Sequence, residues 1–371
     1  MRNNCKKTEA AALCAGGRLA ASHKLAERPV EDEIYGRSDS FFLSDDIKHD
    51  LFNIYTGAAL VERGLMREPV KLENVKLYLY TKHNKEKDSY IPLDITNPSP
   101  LNNPRAKIAF IIHGWLEHKD VSWYDDLKDA LLKRDSSYYV IQVDWSEYSH
   151  LGYLLSSYTT MDIGAIIGEF ISDLNRNYNI PLSNFLVIGH SLGGQISGYT
   201  GKKVQELTNQ KIPRIVALDP AGPLFSSRPE EERLNQHDAE VVHVIHTNGG
   251  TFGYLDKCGT LDFYPNGGSF QPGCLKAFIP DLDGFKDIII ACDHQRSWKY
   301  FTEAVARPNS FKARKCSNWL KFTTSYLCDD EYAYMGDLDT KQTGDFYLET
   351  NSESPYSAEK ASFVRSFLGD L

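Results

Sequence analysis

Six short stretches of aliphatic and β-branched residues punctuate the chain, at Val75–Tyr80, Ala109–Ile112, Tyr138–Val143, Phe185–Ile188, Ile215–Leu218 and Val241–Ile245. Several are almost unbroken in their apolarity, the pattern of a strand covered on both faces. Between them apolar positions recur every three or four residues: Trp123, Leu127, Ala130 and Leu131 in one stretch, Ile163, Ile166, Ile167, Phe170, Ile171 and Leu174 in another. That spacing predicts amphipathic helices. Strands alternating with helices predict an α/β fold, a mostly parallel central sheet with helices on both faces. Residues 1–45 carry no sustained period and read as a leader and charged connector, residues 46–357 as the folded domain, and 358–371 as a tail.

The run Phe185–Ile188 leads into Gly189-His190-Ser191-Leu192-Gly193-Gly194, and a small-residue helical segment follows. A strand, a Gly-x-Ser-x-Gly turn and a helix make a nucleophile elbow, so Ser191 is the candidate nucleophile. The turn must be sharp enough to expose the hydroxyl above the sheet, and Gly189 and Gly193 remove the Cβ groups that would collide. The amide of Leu192, first in the helix, can then point at a developing oxyanion, with the helix dipole in its favour. The pentapeptide alone also fits an ordinary turn; its place between strand and helix gives it the catalytic reading.

A serine hydroxyl needs a histidine to take its proton and a buried carboxylate to orient that histidine. Asp219 ends the run Ile215–Leu218, the edge where α/β sheets gather functional groups, although an aspartate before Pro220 also fits an Asx-turn or cap. His294, in Cys292-Asp-His-Gln-Arg-Ser-Trp, lies downstream and completes the order Ser, Asp, His. His190 is expected to point away from the chemistry, and His243 and His246 fall in a strand-like run that suits core or surface roles. His113 belongs to the strand end His113-Gly114-Trp115, where the Trp115 amide is a candidate second oxyanion donor.

A net charge of -9 gives no general attraction to nucleic acid. No apolar run approaches the roughly eighteen residues of a membrane-spanning helix, so the chain is expected to be soluble or to work at an interface. Five of the seven cysteines fall between Cys258 and Cys328. That clustering suggests local staples made in an oxidising compartment, with scattered reduced thiols as the alternative. A secreted protein is the expectation, although the N-terminus makes a poor signal peptide, its short apolar stretch being broken by Gly16, Gly17 and Arg18. No Asn-x-Ser/Thr sequon is present to add a second indication.

Taken together, Gly189–Gly194, Ala217–Pro223, His113–Trp115, Asp262–Gly268 and Cys292–His294 resemble the pancreatic-lipase family, and insect members most. The resemblance implies an α/β-hydrolase fold and carboxylic-ester hydrolysis on lipids, with Ser191, Asp219 and His294 as triad and the Trp115 and Leu192 amides as oxyanion hole. It implies a lid at 275–291 bounded by a Cys274–Cys292 disulfide, and a second disulfide between Cys316 and Cys328. An amphipathic segment there also fits a buried helix with no gating role. Glu230, Arg233, Asn235 and Asp238 match a structural calcium site, weakened because Asn235 stands where an aspartate is usual, so no metal and no other cofactor are expected.

The substrate implied is a lipid at a membrane, micelle or droplet surface. No colipase-type partner is expected, since the sequence ends without the C-terminal β-sandwich. The short loop Thr247–Gly259 and short lid lean toward phospholipase A1 over triacylglycerol lipase. The rival reading is a catalytically silent lipid-binding or yolk-type storage protein, against which stands the presence of all three triad residues.

Overall fold

Alternating side chains of the buried strands supply both faces of the core. In β3, Lys107–Ile112, residues Ile108, Phe110 and Ile112 face one way and Ala109 and Ile111 the other. The computed structural model describes residues 69–101, 103–274, 286–324 and 328–358, all in one compact unit spanning Leu51–Leu371. The predicted leader, the tail beyond residue 358 and residues 275–285 of the predicted lid lie outside the described residues.

The described strands form an eleven-stranded sheet in the order β10-β9-β11-β8-β7-β6-β5-β3-β4-β1-β2. Its centre comprises β4 (Tyr138–Asp144), β3, β5 (Phe185–His190), β6 (Arg214–Leu218), β7 (Val241–Ile245), β8 (Leu261–Pro265) and β11 (Gly344–Leu348), paired in parallel throughout. Antiparallel strands close the edges, β1 (Lys76–Tyr80) and β2 (Ile91–Leu93) on one side, β9 (Lys312–Lys315) and β10 (Tyr332–Tyr334) on the other. The six predicted strands are all present to within two residues at either end. β9 reads Lys-Ala-Arg-Lys and buries only Ala313, so its apolar content could not announce it.

Against one face pack α3 (Tyr153–Asn177) and α4 (Leu192–Thr208); against the other pack α1 (Ser122–Arg134) and α5 (Lys286–Ala306). Two short helices, α2 (Ser146–Ser149) and α6 (Trp319–Thr324), complete the set among the described residues. Phe110 is fully buried against the edge of Phe170 from α3, and its truncation to Ala would cost about 3–5 kcal/mol. α3 starts ten residues before the predicted Ile163. Its first turns bury Ser157, Thr159 and Thr160, whose hydroxyls donate back to the carbonyls of Leu154, Ser156 and Ser157 at 2.7, 2.8 and 2.7 Å. The helix's own carbonyls thus satisfy polar groups that look like loop residues in one dimension.

Candidate active site

Ser191 directly follows β5 and adopts φ 56°, ψ −120°, a conformation that ordinary side chains avoid. The surroundings enforce it. A Cβ on Gly189 would stand 2.0 Å from the Gly193 carbonyl oxygen, and one on Gly193 2.2 Å from that of Ile112. The Ser191 amide donates to the Leu218 carbonyl at 3.1 Å, and the Ser191 carbonyl accepts from the amides of Gly194 and Ala221 at 2.9 and 3.1 Å. Strain at the serine is therefore held by hydrogen bonds to the end of β6 and to the first turn of α4.

Asp219 follows β6 and is likewise left-handed, φ 46°, with no exposed surface. Its Oδ1 accepts the amides of Thr247 and Asn248 at 2.8 and 3.0 Å, and its Oδ2 meets Nδ1 of His294 at 2.5 Å. The carboxylate thus reaches across to the turn after β7 and to α5 instead of forming a local Asx-turn. Because a carboxylate can only accept, Nδ1 of His294 carries the proton and Nε2 is left as the basic nitrogen. Burial lowers the His294 pKa below its ordinary 6.5, the hydrogen bond to Asp219 pulls the other way, and the charge of His190 adds to the lowering.

His294 rides on α5, and its backbone is fixed on both sides. The Cys274–Cys292 disulfide, with Cα atoms 5.6 Å apart, ties the helix two residues before it, and Asp293 Oδ1 accepts the Gln271 amide at 2.5 Å. The last part of the predicted lid, 286–291, is helical and continuous with the turn that carries His294. The Cys316–Cys328 disulfide also forms, with Cα atoms 4.5 Å apart, and Cys258 is a free, buried thiol.

The Trp115 amide lies in the turn after β3, whose Ile112 pairs with Gly189, so this turn and the elbow leave neighbouring strand ends. The Trp115 indole donates to the Leu151 carbonyl at 2.9 Å and its ring meets Tyr153 edge-on at 5.3 Å. The Leu192 amide is the first in α4, among the four that a helix leaves without an internal partner. Two groups escaped the sequence reading. His190 does not point away: its ring centroid is 4.6 Å from that of His294. Glu117 reaches back to the Gly114 amide at 2.7 Å. No motif signals either, because the ring partner of His190 comes from another element and Glu117 folds back only where Leu116 reverses the chain.

The four calcium candidates do not fit that ion. Lys202 places its ammonium on Asp238 Oδ1, Asp238 Oδ2 accepts the Asn235 amide at 2.9 Å, and the Asn235 side-chain NH2 donates to the Glu230 carbonyl at 2.7 Å. Arg233 sits at the 4.0 Å limit of an ion pair with Glu230. Both Asp238 carboxylate oxygens and the Asn235 side-chain oxygen are already bound to nitrogen donors. Burial pushes the Asp238 carboxyl up to about 6 against the pull of Lys202. A second cluster, His246, Cys258 and Asp262, comes within ligating distance, but both ring nitrogens of His246 are engaged, by Asp262 Oδ1 at 2.8 Å and by the Tyr254 carbonyl at 3.0 Å.

Fold and site together define an α/β hydrolase, in which a histidine–aspartate pair stands beside a serine on a strand-to-helix turn. The family model described as Lipase matches residues 54–356, and the chain belongs to that family, among the carboxylic ester hydrolases. Pancreatic triacylglycerol lipase of Equus caballus is 34% identical over 326 residues, 81% of this chain and 69% of its own length. The human inactive pancreatic lipase-related protein 1 is 33% identical over 309 residues, 76% of this chain and 64% of its own. Among solved structures, esterase PE8 aligns with 15% identity and a TM-score of 0.29, over 38% of this chain and 68% of that one.

Proposed function

We propose that the protein is a secreted serine hydrolase that cleaves carboxylic esters of lipids at a membrane, micelle or droplet surface. The observation that carries this is the 2.5 Å hydrogen bond from His294 Nδ1 to Asp219 Oδ2, which leaves Nε2 as a base next to the elbow of a lipase-family chain. As Ser191 Oγ attacks the ester carbonyl, its proton passes to His294 Nε2. The Trp115 and Leu192 amides hold the oxyanion, and Asp219 stabilises the imidazolium. When the C–O bond breaks, the proton goes to the departing alcohol. Water then repeats the sequence on the acyl-serine and releases the fatty acid.

Phospholipase A1 activity is the favoured specificity. Its support is the short loop after β7, folded onto the Asp219–Gly222 turn by hydrogen bonds from the Gly222 amide to the Phe252 carbonyl at 2.9 Å and from the Tyr254 amide to the Pro220 carbonyl at 2.7 Å. The two disulfides support an oxidising, extracytoplasmic site of action. The existence of an inactive relative keeps a silent lipid-binding protein as the second reading. Labelling with a fluorophosphonate probe separates the two: the enzyme reacts at Ser191, whereas an unlabelled protein would overturn the proposal. Product analysis on a phosphatidylcholine and a triacylglycerol then decides the specificity, with release of the sn-1 fatty acid expected.

A further inference from the structure

Beside the pair of His294 and Asp219 lies a second acid that the acyl-transfer scheme does not use. Leu116, a bulky residue at φ 59°, reverses the chain after Trp115, and its amide is held by the Ser149 carbonyl at 3.0 Å. The reversal brings the Glu117 carboxylate back under the turn it has just left. Its Oε2 accepts the Gly114 amide at 2.7 Å and stands 3.4 Å from His190 Nδ1, while its Oε1 accepts the Trp123 indole N–H at 3.0 Å.

Each partner touches the chemistry from a different side. Gly114 immediately precedes the Trp115 amide, and a Cβ on it would stand 2.9 Å from Ser191 Cβ and 3.2 Å from Glu117 Oε2, so this peptide is wedged between nucleophile and carboxylate. His190 immediately precedes Ser191, and its ring rests against His294 on one side and meets Trp123 at 5.8 Å on the other. Burial pushes the Glu117 carboxyl up, but His190, His113 and the Gly114 amide outweigh it and hold the pKa at about 2.

We infer that Glu117 is a positioning residue whose carboxylate aligns the Trp115 amide, through Gly114, and the His294 ring, through His190, for acyl transfer. The inference rests on the serine-hydrolase reading of Ser191. A carboxylate suits this place because the Gly114 amide and the Trp123 indole can only donate to it, one at each oxygen. A glutamine of the same shape would turn an NH2 toward an N–H and break at least one contact.

The test compares the full-length wild type with Glu117→Gln, using a fluorophosphonate probe, the dissolved ester p-nitrophenyl butyrate and an alkylboronic acid, whose tetrahedral adduct copies the oxyanion. Displacing an oxyanion donor or base by a fraction of an ångström costs about 10- to 100-fold. Phosphonylation rate and kcat should fall by that factor, KM should stay within twofold, and the boronate Ki should rise in parallel with the loss of kcat/KM. Glu117→Asp, which keeps the charge, should recover part of the rate and covers the case in which the glutamine variant folds poorly. Wild-type rates and boronate affinity in Glu117→Gln, or a glutamine variant as active as the aspartate one, would overturn the assignment. If the wild type itself fails to react with the probe, the serine-hydrolase reading falls instead.

Discussion

Two of the buried histidine–aspartate pairs in this molecule, His294–Asp219 and His246–Asp262, engage their ring nitrogens in opposite ways. His294 gives Nδ1 to Asp219 at 2.5 Å, and its ring lies 4.6 Å from that of His190, the residue before Ser191. His246 gives Nε2 to Asp262 at 2.8 Å while Nδ1 meets the Tyr254 carbonyl at 3.0 Å, so both of its nitrogens face obligate acceptors. Asp262 is saturated as well, since Oδ1 also accepts the Cys258 and Gly259 amides at 3.1 and 3.2 Å. The electrostatics diverge accordingly. Burial lowers both imidazoles, but at His246 the hydrogen bond and charge of Asp262 win and its pKa is raised, whereas at His294 burial wins and its pKa is lowered. A buried histidine–aspartate pair is therefore a structural clamp by default, and becomes a base only where one nitrogen is left uncommitted.

The sharpest way to break the contrast is to remove each histidine. Ser191→Ala should lower kcat by about 10^5-fold or more while the melting temperature holds, and His294→Ala should lower kcat as far; measurable turnover near wild type in either would end the catalytic assignment. Asp219→Asn, which leaves His294 in the wrong tautomer, should cost about 10^4-fold in kcat. His246→Ala should do the opposite: about 3–5 kcal/mol of stability lost by chemical denaturation, because Asp262 becomes a buried unpaired charge, with kcat per folded molecule kept. A loss of kcat without a loss of stability would make His246 a second active-site group.

Titration sharpens the contrast further. The base must be neutral, so activity is lost as pH falls through the His294 pKa, and the acid limb of kcat/KM should have its midpoint below 6.5. His246 works in the other sense. Its raised pKa contributes stability that is fully present below 6.5 and lost as pH rises through the folded value, so the melting temperature should decline as pH rises above 6.5. The smallest expected effect is that of metal. With Lys202 on Asp238, chelation by EDTA or addition of millimolar calcium should leave the melting temperature where it was. A calcium-dependent rise would show that Lys202 gives way to the ion.

Much of this was legible in one dimension because the signals are local. Phe185–His190 reads as a strand from its own apolar residues, and Gly189 is demanded by the turn itself, where a Cβ would meet the Gly193 carbonyl, although Gly193 is demanded by Ile112 of the neighbouring strand. The elbow is thus an arrangement of about ten consecutive residues. The first turns of α3 were not legible, because their serines and threonines are polar in sequence and satisfied only once the helix exists. β9 was invisible for the opposite reason, being an edge strand with little to bury.

By itself, the order of residues determined the α/β pattern and the strand-to-helix turn, and made Ser191, Asp219 and His294 candidates, since each sits in a short motif with its own steric or electrostatic signature. Only the tertiary structure decided which partners meet each histidine ring. His190, His246 and His294 cannot be ranked without knowing that Glu117, the Tyr254 carbonyl and Asp219 arrive beside them from elsewhere in the chain. The physical reason is that a proton's position is set by the acceptors within about 3 Å of each ring nitrogen, and here those acceptors come from between 8 and 75 residues away.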